Sequence, residues 1–270
     1  MLAASRRRWL TLSLFLQASG LQAQEAKPVR FLPYVGPSIE AARYLPADED
    51  FAWVGWIGAQ VDIAEKGRWS LYFTPQMETI LGHRVRSFEA VQANYSLEIG
   101  ASRVHGRGRI SPFFHHVSRH VQDRDKEQAV DWNFLGVKYN APWPERWNRR
   151  GAWAGSFAVA TLSSGVNYNW EARVGGDADL TPNSKRSAFV LADLRRIGAS
   201  VSPGFPRGGF TDARLEVGLR RWTDTSQSAL FLAYERRNDA LIPEALVTNR
   251  ALLGFRIRGH RRTSPDPPAP

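Results

Sequence analysis

Two-residue alternation recurs along this chain and constrains its fold more than any other feature. In 166–174, Val166, Tyr168, Trp170, Ala172 and Val174 alternate with Asn167, Asn169, Glu171 and Arg173. In 212–220, Ala213, Leu215, Val217 and Leu219 oppose Asp212, Arg214, Glu216 and Arg220. In 250–258, Ala251, Leu253, Phe255 and Ile257 oppose Arg250, Arg256 and Arg258. In 91–99, Val91, Ala93, Tyr95, Leu97 and Ile99 oppose Gln92, Asn94, Ser96 and Glu98. A period of two puts each apolar set on one face of a strand and each polar set on the other.

Similar segments lie near 29–45, 51–63, 68–75, 107–118, 130–139, 151–162, 187–200 and 228–237. Together they predict roughly ten to twelve strands of about ten residues, the size class of a modest outer-membrane barrel. Turn-like breaks such as EKGR, TLSSG and SPGFPRGG separate them. A fixed-period repeat is not visible, which argues against a propeller or a solenoid. A soluble sandwich alternates too, but here the polar faces carry many full charges, as a solvated lumen would. In lipid, an open sheet edge would leave backbone groups unpaired, so the sheet must close. The expected fold is therefore all-β: a closed antiparallel transmembrane barrel of roughly 10–12 strands. Trp132, Trp143, Trp147, Trp153 and Trp222 fall near segment ends, where aromatic girdles would place them.

The first residues point to export. Arg6, Arg7 and Arg8 precede the apolar run WLTLSLFL, and a small, polar stretch ends at Ala23. That order fits a signal peptide at 1–23, cleaved after Ala23, and the run is too short to span a bilayer. Residues 24–258 would form the barrel, and 259–270 a disordered Pro-rich tail. Without its leader the chain loses three arginines, and its net charge falls from +10 to +7. An exported basic chain makes nucleic acid a poor partner. It favours outer-membrane lipid or lipopolysaccharide phosphates, with the barrel-assembly machinery as the partner in insertion. The chain has no cysteine, so no disulfide braces it. No cofactor is expected.

Chemistry concentrates at 113–123, FFHHVSRHVQD. Alternation places His116, Ser118 and His120 on the face that begins with Ile110, Pro112 and Phe114, and turns His115 to the lumen. If that face meets lipid, a lipid is what it can touch. Pro112 could introduce a bulge and reverse this parity. Residues two apart on a strand share a face, so His116 could take the proton of Ser118. An orienting group would come from the next strand, where Asp131 and Asn133 alternate with Leu135, Val137 and Tyr139. Other readings of the stretch stay open. They are a polar rim, a metal site of His116, His120 and Asp123, and an anionic-headgroup contact through Arg119, His120 and Asp123. A narrow pore is a further alternative for the whole barrel.

His116-x-Ser118-x-His120-x-x-Asp123 resembles the His-x-Ser-Ser-His-x-x-Asp signature of an uncharacterised proteobacterial outer-membrane barrel family. Arg119 stands at its second serine. That resemblance implies a location and a fold but no activity. A looser resemblance is to outer-membrane phospholipase A and lipid A deacylase barrels. These carry His-x-Ser on a lipid-facing strand, with an orienting residue on the neighbouring strand. It implies a lipid-directed acyl-ester hydrolase, with Ser118 as nucleophile, His116 as general base and Asp131 or Asn133 as orienter. Arg119 stands where those hydrolases tend to carry asparagine.

Overall fold

The computed structural model describes residues 28–260, apart from 122–129, 145–149, 182–184, 202–207 and 239–246. Its strands are β1 (Arg30–Leu45), β2 (Trp53–Lys66), β3 (Trp69–Gly82), β4 (Glu89–His105), β5 (Gly108–Val121) and β6 (Val130–Pro142). They continue with β7 (Gly151–Ser164), β8 (Tyr168–Asp179), β9 (Arg186–Ala199), β10 (Gly209–Trp222), β11 (Ser226–Asn238) and β12 (Val247–Gly259). Each strand pairs antiparallel with the next, and β12 returns to β1, so the sheet is a closed barrel of twelve strands. Closure gives every strand two neighbours for its backbone N–H and C=O groups, the condition for crossing lipid.

Alternation decides what lies on each side. Outside, Leu215, Val217 and Leu219 of β10, Leu230 and Leu232 of β11, and Leu253, Phe255 and Ile257 of β12 are all exposed. Exposed apolar residues on three neighbouring strands make the outward side an apolar belt, the surface that suits lipid.

Charged and apolar side chains occupy much of the lumen, and a cavity of about 440 Å³ remains among Asp62, Ser70, Tyr72, Glu98, Ser102 and Lys138. Arg214 reaches Glu40 at 2.6 Å, Glu216 at 2.7 Å and Glu235 at 3.3 Å. Arg256 joins Glu216 at 2.6 Å and also meets Glu40. Arg237 grips both oxygens of Glu78 at 2.6 Å, linking β11 to β3 across the interior. An apolar cluster that includes Phe113, Val117, Trp132, Phe134, Tyr168, Ile197 and Phe210 fills another part.

The two ends of the barrel differ. At the end where β1 begins and β12 finishes, the turn end, two-residue connections at 67–68 and 106–107 join β2 to β3 and β4 to β5. Gly67 and Gly106 have φ of 59° and 57° there, a left-handed backbone that glycine adopts without a Cβ clash. From the opposite, loop end, the chain runs 46–52, 83–88, 122–129, 200–208 and 239–246 between strands, each longer than those turns, although 143–150 and 180–185 join strands on the turn side.

Some sequence expectations change. Trp132 and Trp222 do not belong to an outer girdle. Trp132 is fully buried in the lumenal cluster, and Trp222 donates from Nε1 to Asp179 at 2.9 Å on the inner face. Trp69 stands outside near the turn end. Trp153 packs 5.4 Å from Tyr139. Trp147 lies outside the described residues. In β8 the expected face 166–174 is split, because the register shifts between Tyr168 and Trp170. Val166 and Tyr168 are buried inside, while Trp170 and Val174 are exposed. One extra residue in a strand moves everything beyond it to the other face.

Candidate active site on the outer face

β5 and β6 build the site. β5 keeps one register against β4 from Arg103↔Ile110 to Gln92↔Val121, and one against β6 from Arg109↔Asn140 to Arg119↔Val130. Pro112 therefore does not reverse the parity. The ladder to β4 skips the pairs at Ser111 and Pro112, where proline has no N–H to give, and resumes unshifted at Phe113. Phe113, Val117 and Arg119 are buried inside, and Ile110, Pro112 and Phe114 are exposed outside. His116, Ser118 and His120 follow that outer row.

β6 obeys the same rule. Trp132 and Phe134, buried to 1% and 0% exposure, turn inward. Asp131 and Asn133 alternate with them and turn outward, in line with exposed Leu135 and Val137. The aromatic pair anchors the strand from behind, and truncating either would cost about 3–5 kcal/mol. The same packing fixes where the two polar residues stand.

The register sets His116 opposite Asn133, and Ser118 opposite Asp131. His116 Nδ1 and Asn133 Oδ1 are 2.6 Å apart. An amide oxygen can only accept, so Nδ1 donates, and Nε2 is left as the basic nitrogen. On the other side of β5, Ser118 faces Tyr95 and His116 faces Leu97 of β4. The Ser118 hydroxyl lies 3.2 Å from Nε2 of His120. The His120 ring stands edge-on to Tyr95, with centroids 5.4 Å apart. Phe114, Leu97, Ile99, Leu135 and Val137 continue the outer face towards the turn end as an apolar surface.

Of the residues singled out from sequence, His116, Ser118, His120, Asp131 and Asn133 thus share one outward patch near the loop end. Arg119 does not. It is buried on the lumenal face, with its guanidinium 5.5 Å from the Trp132 ring centre, so it does not reach a lipid headgroup from there. Asp123 lies outside the described residues. His115 also points inward, with Nε2 at 2.8 Å from the Ser96 hydroxyl. Between the two orienters left open by the sequence, Asn133 is the one in hydrogen-bond contact with His116. Tyr95 was not apparent from the sequence, because cross-strand register is not written in the pattern of either strand alone.

No family model matches the chain, and no curated protein matches it. Solved structures do. Outer membrane phospholipase A from Escherichia coli aligns with a TM-score of 0.51 and 10% identity, over 84% of this chain and 93% of that one. An active-site mutant of the same enzyme, an asparagine-to-alanine change, aligns with a TM-score of 0.50 and 10% identity, over 90% and 95%. LpxR from Salmonella typhimurium aligns at 0.48 and 10% identity, over 84% and 100%. At this identity the likeness is one of fold: this chain folds like bacterial outer-membrane barrels.

Proposed function

We propose that this protein is an outer-membrane hydrolase of lipid acyl esters, exported by its 1–23 leader and inserted by the barrel-assembly machinery. Ser118 is the nucleophile, His116 the general base, and Asn133 the group that orients the imidazole. The observation that carries the reading is the 2.6 Å contact between His116 Nδ1 and Asn133 Oδ1 on the lipid-facing side of the barrel. It fixes the tautomer that leaves Nε2 basic, two residues along the strand from a serine on the same face. A hydroxyl is a weak nucleophile until a base removes its proton, and a positioned base is worth roughly 10²–10⁴-fold in rate.

The substrate class follows from the surroundings. Barrels of this kind carry longer loops on the extracellular side, so a patch near the loop end faces the outer leaflet. Phe114, Leu97 and Leu135 offer an apolar bed for acyl chains below the catalytic group, and the ester would lie level with Ser118. Phospholipid and lipopolysaccharide both present acyl esters at that depth. Against the pore alternative stand the Arg237–Glu78 and Arg214–Glu40 pairs, which bridge strands inside the barrel.

The site can be tapped with a long-chain alkylsulfonyl fluoride, which sulfonylates activated serines. The folded barrel in detergent should be modified at Ser118, and His116→Ala should not be. Modification of no serine, or of other serines at equal rates, would remove the reading.

A further inference from the structure

The two strands that carry the outer site also present polar side chains to the lumen, at the other end of the barrel. We propose that the turn end of the lumen binds a small hydroxylated anion, a phosphate or carboxylate on a polyol-sized body, with Arg109 gripping the charged head. The inference does not depend on the hydrolase reading above.

Parity and register build the site. Phe113 of β5 and Phe134 of β6 are buried inside, so Arg109 and Ser111 on β5, and Lys138 and Asn140 on β6, turn inward with them. Arg109 stands opposite Asn140, and Ser111 opposite Lys138. All four line the cavity of about 440 Å³, a volume in the range of small-molecule pockets. The Lys138 side chain keeps 31% of its surface exposed there, so the cavity is solvated rather than packed shut.

Three observations give the ligand its chemistry. First, the two cations are not equivalent. Lys138 Nζ is neutralised by Glu98 at 2.5 Å and sits over the Tyr72 and Phe113 rings. Arg109 Nη1 donates to a neutral acceptor, the Ser70 hydroxyl, at 3.4 Å, and among the described residues it enters no ion pair. A guanidinium with donors to spare grips two oxygens of one phosphate or carboxylate. Second, the acids of the wall confine the charge to one end of the ligand. Glu98 is engaged by Lys138 and by the Tyr72 hydroxyl at 3.0 Å. Asp62 lines the β2 side, three strands from Arg109, and there it repels a second negative group. Third, hydroxyl and amide groups make up much of the remaining wall, with Ser70 and Ser102 joined at 2.7 Å and Ser111 and Asn140 beside Arg109. Such a wall suits the hydroxyls of a polyol better than an acyl chain. With the loop end at the outer leaflet, the turn end meets the periplasm, and the ligand comes from that side.

The test is isothermal titration of the full barrel, in neutral detergent and phosphate-free buffer, with glycerol 3-phosphate, gluconate, inorganic phosphate and glycerol. Saturable binding of one glycerol 3-phosphate or one gluconate per chain is expected, and the tighter of the two identifies the head as phosphate or carboxylate. Inorganic phosphate should bind more weakly than glycerol 3-phosphate, and glycerol should not bind. Arg109→Gln should weaken binding by roughly 10-fold or more, through loss of the charge-assisted contact. It breaks none of the described ion pairs, so the variant should keep its heat-modifiable fold. Asn140→Leu leaves the charge and removes the amide opposite it, and should weaken binding by a smaller factor. No saturable binding by wild type, unchanged affinity in folded Arg109→Gln, or glycerol binding as tightly as glycerol 3-phosphate would overturn the proposal. Inorganic phosphate binding as tightly as glycerol 3-phosphate would overturn the role given to the hydroxyl-lined wall.

Discussion

His116 and Asn133 stand opposite each other across β5 and β6, and their side chains meet at 2.6 Å on the outside of the barrel. The pairing singles out Asn133 over Asp131 as the residue that holds the imidazole. Asn133→Ala should therefore lower ester turnover by about 10–100-fold, less than the full contribution of a general base. Asp131→Ala should leave turnover within a few-fold of wild type. Steady-state kinetics of the two variants side by side checks this, and the reverse ranking would make Asp131 the orienter.

The outer belt makes a prediction that does not depend on catalysis. Leu232 lies at the middle of β11 and is exposed on the lipid side. Leu232→Arg should destabilise the barrel by about 2–4 kcal/mol in vesicles, as an arginine at the bilayer midplane does. On a water-facing surface the same change would fall within about 0.5 kcal/mol. Reversible unfolding in urea with phospholipid vesicles measures the difference.

Inside, Glu216 is shared by Arg214 at 2.7 Å and Arg256 at 2.6 Å. Glu216→Ala leaves two buried guanidinium groups without that carboxylate, a loss of about 3–5 kcal/mol. The temperature at which the folded band disappears from a detergent gel should fall clearly. Single-channel recordings of wild type should remain silent, because the same network occupies the lumen.

At the loop end, Asp48 accepts from the Phe51 N–H at 2.7 Å, the Asp50 N–H at 3.1 Å and Arg250 Nη2 at 2.6 Å. Partial burial pushes its carboxyl up, but these donors and the Arg250 charge outweigh it, and the net shift is downward. A folded-state value below the unfolded one means that the carboxylate stabilises the fold above the unfolded range near 4 and loses that effect as the pH drops through the lower folded value. Wild type should thus be more stable than Asp48→Asn at neutral pH, and the gap should close in acid. Denaturation midpoints of both proteins across pH measure it.

The barrel and the outward face of β5 were legible in the sequence because alternation is a local property. Ile110 and Phe114 declare the lipid side, and His116 and Ser118 follow two and four residues after Phe114. Pro112 left the parity intact because a missing N–H costs a ladder bond without adding a residue. Bulges are harder. The shift at Tyr168/Trp170 adds a residue to one strand, and the run 166–174 looks uniformly alternating while its two halves face opposite sides. Trp132 and Trp222 resembled girdle residues by composition and position, but their parity turns them inward. Arg119 looked available to a headgroup because charge is read before side, and its neighbours in the strand already placed it inside. The choice between Asn133 and Asp131, and the contact of Ser118 with His120, depend on register and rotamer, which no single strand encodes.

Fatty-acid release tests the role of Ser118 directly. Wild type and Ser118→Ala, both folded and heat-modifiable, are mixed with detergent-dispersed phospholipid and separately with lipopolysaccharide. Ser118-dependent release of fatty acid is expected from at least one of them, abolished in Ser118→Ala. Equal release by the two proteins from both lipids, or none by wild type, would contradict it.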